Sequence, residues 1–173
     1  HAQFQDGSTV SIQPSETSLR LVHGSPTAGD VDIWANAAVK LADTFQFTDG
    51  LPPATVASGT YDIQVTAVGG DPQNPLLEFT DVTLGPGALT VAAYDDGSPT
   101  ILGVPDDLSA PATGAFRVRA IHIADGIGQV DIWETTGPSP LWVDLDFGAY
   151  GDYLELDAGQ YNIGIDLDND QVP

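Results

Sequence analysis

Two histidines stand at matching places in this chain: His23 lies nine residues before Asp32, and His122 nine before Asp131. A His–Asp pair can fix an imidazole in one tautomer for general-base work or for metal ligation. No Ser, Cys or second His recurs beside them to complete a nucleophilic triad. The spacing therefore reads as structural, a strand histidine hydrogen-bonded to a turn at the end of a sheet. Arg20 and Arg119 recur three residues before the histidines and are expected to pair with a strand Asp. Trp34 and Trp133 recur as well, and a buried core tryptophan is the ordinary role in a sandwich fold. Trp142 has no counterpart and is the candidate for stacking on a bound ligand such as a sugar.

The metal-ligating patterns are sparse. Asp166-Leu-Asp168-Asn-Asp170 places acids at alternate positions, as calcium loops do, but lacks the glycine and distal Glu of an EF-hand. Asp95-Asp96 and Asp106-Asp107 are acidic turns of low specificity. His1, as a free amino terminus, can bind copper through its amine and imidazole, with His23 or His122 as the second imidazole. The metal candidates are thus His1, Asp166, Asp168 and Asp170; the expectation is an enzyme-free chain with no catalytic residues, and Ca²⁺ as the one cofactor worth testing.

Composition narrows the rest. Lys and Arg number 4 against 25 Asp and Glu, a formal net charge of −21. Such a surface repels nucleic acid and anionic membranes. It suits either a solvated, salt-tolerant exterior or carboxylate sites for Ca²⁺. With 42% hydrophobic residues the chain can still build a core. There is no Cys and no Met, and no apolar run approaches a membrane span. These features suggest a mature extracellular or cell-surface protein.

An internal repeat organises the chain. Residues 20–34, from Arg20 to Trp34, match residues 119–133 at seven of fifteen positions without a gap, an offset of 99. Gly59-Thr-Tyr61-Asp-Ile63 matches Gly159-Gln-Tyr161-Asn-Ile163 at an offset of 100, so one insertion separates the two blocks. Each copy reads as β. Short runs rich in Val, Ile, Thr and aromatics (19–23, 31–34, 61–68, 76–84, 89–94) are bounded by Gly, Pro and Asp clusters. In Tyr61-Asp-Ile63-Gln-Val65 apolar and polar residues alternate, as in a half-buried strand. About seven such strands per copy, with regular turns, suggest an Ig-like antiparallel sandwich.

Val22-His23-Gly-Ser25-Pro26, Val31-Asp32-Ile33-Trp34 and Ser58-Gly59-Thr60-Tyr61-Asp62-Ile63-Gln64-Val65 carry a resemblance. The chain is similar to the "domain of unknown function 4397" family of secreted and surface proteins, often found in tandem. The first copy has Trp34 where the family more often has Tyr. The second keeps Val130-Asp131-Ile132-Trp133 and Ala158-Gly159-Gln160-Tyr161 but has Ala124-Asp125 in place of Ser-Pro. The resemblance implies an Ig-like fold and an extracellular location, and no assigned activity.

The expected organisation is an extended segment over 1–17, a first Ig-like domain over 18–108, a linker over 109–114, and a second domain over 115–173. Through the repeat, Pro173 corresponds to Gln73, so the second copy has no counterpart of 76–84, 89–94 or 100–104. A sandwich short of those strands exposes Leu154, Leu156, Ile163 and Ile165 together with unpaired edges. Either the sequence is a fragment, or the two copies share one rearranged sandwich, or a neighbour donates strands. For the last, Phe4, Val10 and Ile12 are the donor candidates. The functional expectation is a non-enzymatic structural or adhesive module, with a filament subunit built by strand complementation as its sharper form. Its partners would be its own copies or other surface proteins. The alternative is an extracellular binding module for glycan or Ca²⁺.

Overall fold

The computed structural model describes residues 2–3, 9–10 and 15–167, and every regular element among them is a strand. A small hairpin comes first, β1 (Ala2–Gln3) and β2 (Thr9–Val10), with Ala2 opposite Val10. The first repeat supplies β3 (Glu16–Gly24), β4 (Val31–Ala35), β5 (Val39–Phe45), β6 (Ala54–Ala57), β7 (Gly59–Ala67), β8 (Leu77–Leu84), β9 (Gly87–Asp95) and β10 (Pro99–Asp106). The second supplies β11 (Ala115–Val118), β12 (Ile121–His122), β13 (Val130–Glu134), β14 (Pro140–Leu145), β15 (Ala149–Tyr150), β16 (Leu154–Asp157) and β17 (Ile163–Asp166).

In the first repeat the eight strands divide into two sheets of four, ordered β6-β3-β9-β10 and β5-β4-β7-β8. The immunoglobulin constant-type pattern divides four and three. The ladders are antiparallel except one: β3 and β9 run parallel, from Thr17 beside Gly87 to Gly24 beside Tyr94. Val31, Ala42, Phe45 and Val65 form the buried centre, with Leu21, Ile33, Leu51, Leu77 and Phe79 packed on it. These side chains come from both sheets, so the apolar faces close on each other around small cavities of about 70 and 40 Å³. The expected alternation along β7 holds for Ile63 and Val65 but is incomplete. Gln64 is buried too, because its Oε1 accepts the Ala37 N–H and its Nε2 donates to Glu78.

The second repeat rebuilds the first half of this plan. Its sheets are β14-β13-β17, β11-β16 and the short β12-β15, the counterparts of β5-β4-β7 and of the pairing of β3 with the β6 side. The hydrogen bonds recur position by position. Thr48 N–H to His23 C=O becomes Gly148 N–H to His122 C=O, and Leu51 N–H to Leu21 C=O becomes Gly151 N–H to Ala120 C=O. Tyr61 donates its hydroxyl to Ala57 C=O as Tyr161 does to Asp157 C=O. Register also locates the insertion. Trp34 stands opposite Lys40 and Trp133 opposite Pro140, so the extra residue lies in the β13–β14 turn. Among the described residues no ladder forms on the second edge of β17 or of β11, the edges that β8 and β9 cover in the first repeat.

Candidate functional site

The histidines lock turns. His23 is 2% exposed; its Nδ1 accepts the Ser25 N–H, which leaves Nε2 protonated and donating to Gly29 C=O at 2.9 Å. His122 repeats the second contact with Gly128 C=O at 2.7 Å. Ser25 and Thr27 in turn donate to Asp95. Burial alone would raise that carboxyl; the hydrogen bonds from Ser25 and Thr27 outweigh it and hold the group below its ordinary range. The hydrogen bonds of Asp32 go elsewhere than to the imidazole. It is fully buried and accepts from Lys40 Nζ at 2.8 Å, Thr44 N–H at 2.8 Å and Gly69 N–H at 2.9 Å. The Lys40 bond, aided by the two amides, brings its pKa from 3.8 to about 2. Lys40 also lies 4.7 Å from the Trp34 ring centroid. Sequence reasoning missed this clamp, although the only Lys in a strongly acidic chain was the available signal.

The second repeat keeps the acid and loses the cation. Asp131 accepts the Asp144 N–H at 2.6 Å, as Asp32 accepts that of Thr44. Its cross-strand neighbour is Asp166, where Asp32 faces Thr66, and both carboxylates are buried. Pro140 replaces Lys40. Among the described residues no three acids or histidines converge as a metal site. His1, Asp168 and Asp170 lie outside the described residues.

The indole nitrogens of Trp34 and Trp133 are buried with no hydrogen-bond partner among the described residues, a cost of about 1–3 kcal/mol each that both repeats carry. Trp142 is half-buried. Its N–H donates to Asp152 C=O at 2.9 Å, and its ring lies so close to Gly151 that a Cβ there would collide with it. Arg119 pairs with Asp106 at the end of β10 and sits 4.6 Å from the Tyr153 ring, as the spacing led one to expect of a strand Asp; Arg20 is exposed.

The unclosed part of the second repeat forms a groove of about 530 Å³. It opens over Val130, Ile132, Ile165 and Leu167, with Pro26 and Phe47 of the first repeat on its rim. Val65 is 9% exposed beneath β8, whereas Ile165 at the same place is 57% exposed, and Ile163 is 55% exposed. Leu154 and Leu156, also expected at this surface, are half-buried. Hydrogen bonds and ring contacts join the repeats at Tyr94 against Phe147, and at Arg119 on Val104 and Pro105 C=O. Phe4 and Ile12 lie outside the described residues, and of Val10 only the strand pairing is described.

The chain is all-β, its first repeat covered by β8, β9 and β10 and, among the described residues, its β17 paired on one side only. The model of the family "Domain of unknown function (DUF4397)" matches residues 17–133, from β3 to β13, and the chain belongs to that family. No curated protein matches the sequence.

Proposed function

We propose that this protein is a non-enzymatic structural or adhesive module of an extracellular or cell-surface assembly. In this reading it consists of two tandem Ig-like sandwich units, and the second is completed by β-strands from a neighbour. One observation carries it: the same core position is closed at Val65 and open at Ile165. An apolar edge strand without a partner is a template for strand addition, and soluble proteins normally blunt such edges with Lys, Pro or bulges. β17 carries no Lys, Pro or bulge, and its one charged residue, Asp166, stands at its end. Donation from copy to copy does not close on itself and yields an open filament. Electron microscopy and light scattering of the purified chain, with and without residues 1–17, test the reading. Fibres lost on deletion support it, and monomers in both samples under all salt conditions refute it.

A second reading, an extracellular module that binds Ca²⁺ or a glycan, is favoured by the buried pair Asp131 and Asp166 where the first repeat sets Asp32 against a lysine. Calcium titration by calorimetry tests it. Heat that vanishes in Asp131→Asn supports a cation site, and no heat at millimolar calcium removes it.

A further inference from the structure

The closed repeat shows what the open one is built to receive. β8 runs antiparallel to β7, with Leu77 opposite Val65 and Phe79 opposite Ile63. Both side chains pack on the core, and Glu78 between them points to the other face, where it meets Gln64. The positions equivalent to Val65 and Ile63 are Ile165 and Ile163, both exposed. An occupant must therefore present an apolar-polar-apolar triplet on an extended chain that runs antiparallel to β17. It must also approach a chain of net charge −21 without adding much negative charge of its own.

The amino-terminal segment meets each requirement. Val10-Ser11-Ile12 repeats the pattern of Leu77-Glu78-Phe79, flanked by the polar Thr9 and Gln13. Asp6 is the only acidic side chain in residues 1–14. Val10 is already in a strand, β2, which pairs with β1 on one side. A hairpin that short is marginal by itself and gains by joining a larger sheet. Resting on the strand-complementation reading above, the geometry points to the β1–β2 segment of a second copy as the donor. It docks on the free edge of β17, with Val10 opposite Ile165 and Ile12 opposite Ile163. The sheet β14-β13-β17 then continues into β2 and β1 of the next molecule.

The chain contains no cysteine, so engineered thiols report on this pairing without background. Chains of residues 1–173 carrying Val10→Cys or Ile165→Cys are mixed, oxidised and read on non-reducing gels, with light scattering on the same samples. The expected result is a disulfide-linked pair of the two variants, its loss when Thr9→Cys, one residue out of the proposed register, replaces Val10→Cys, and loss of assembly in Val10→Asp/Ile12→Asp. A cross-link that forms only when both cysteines share one chain overturns the inference. Assemblies that persist without residues 1–14 and give no Val10–Ile165 link also overturn it, while leaving strand addition by another donor. Absence of both assembly and link overturns the inference together with the reading on which it rests.

Discussion

The two repeats share their local hydrogen bonding and differ in how their cores are closed. Both fix the His23 or His122 ring on a turn carbonyl, and both cap Asp32 or Asp131 with an amide of the neighbouring strand, at Thr44 or Asp144. Those two amides belong to residues with positive φ, 49° and 53°, so even the local strain is duplicated. In one exposed pair the contact is kept with its roles exchanged: Gln46 donates to Asp30, and Gln129 donates to Asp146 at the equivalent places. Closure is a different matter. β8, β9 and β10 seal the first repeat, and nothing among the described residues takes their place in the second. The second repeat thus holds its strands by short-range bonds with Ile163 and Ile165 exposed.

The largest effect is expected from placing the same charge at the same position in each repeat. Val65→Asp buries an unpaired carboxylate and is expected to cost about 4 kcal/mol or more, unfolding the first repeat. Ile165→Asp is expected to change stability by no more than about 0.5 kcal/mol and to abolish assembly. Urea melts followed by tryptophan fluorescence, with light scattering alongside, separate the two effects.

A smaller difference should follow from the acid clamps. Asp32→Ala strands two amides and an ammonium and should cost about 2–3 kcal/mol; Asp131→Ala strands one amide and should cost about 1 kcal/mol. Lys40 bonding holds Asp32 at about 2 against an ordinary 3.8. The unfolded chain therefore takes up this proton first. The clamp's contribution is complete above pH 3.8 and disappears as pH falls from 3.8 towards 2. Acid melts of wild type and Asp32→Ala should converge over that window; a constant gap down to pH 2 would contradict the clamp.

Gly151→Leu should destabilise the second repeat by about 2 kcal/mol through overpacking against Trp142, and Trp142→Ala in the same chain should restore most of it. The smallest effect is expected for the exposed pair. Exchanging its roles with Asp30→Gln and Gln46→Asp should leave stability within about 0.5 kcal/mol, measured by the same melts.

The strand content and the repeat were legible because apolar alternation and turn residues are local signals, and because Arg20–Trp34 and Arg119–Trp133 needed no gap to align. β5 was harder to see. Lys40, Asp43 and Thr44 interrupt its apolar pattern, and the register shifts where it meets β4. The parallel pairing of β3 with β9 joins residues about seventy apart, for which a single sequence carries no signal. At the site, the exposure of Ile163 and Ile165 followed from counting strands in the repeat. The half-burial of Leu154 and Leu156 did not, because β16 is covered by its neighbour β11 whether or not the far strands are present. The groove shared with Pro26 and Phe47 depends on how the repeats sit together, which no local pattern encodes.

Ala42 and Leu51 fill a corner of the first core, and at the corresponding places the second repeat has Trp142 and Gly151, large and small exchanged. Adjacent duplicates of one sequence run the risk that a strand of one inserts into the other as the chain emerges, a typical misfolding route of tandem proteins. Here such a crossing sets tryptophan against leucine in one repeat and alanine against glycine in the other. The first overfills its corner and the second leaves it underfilled, so the crossed arrangement packs worse than the native one in both halves.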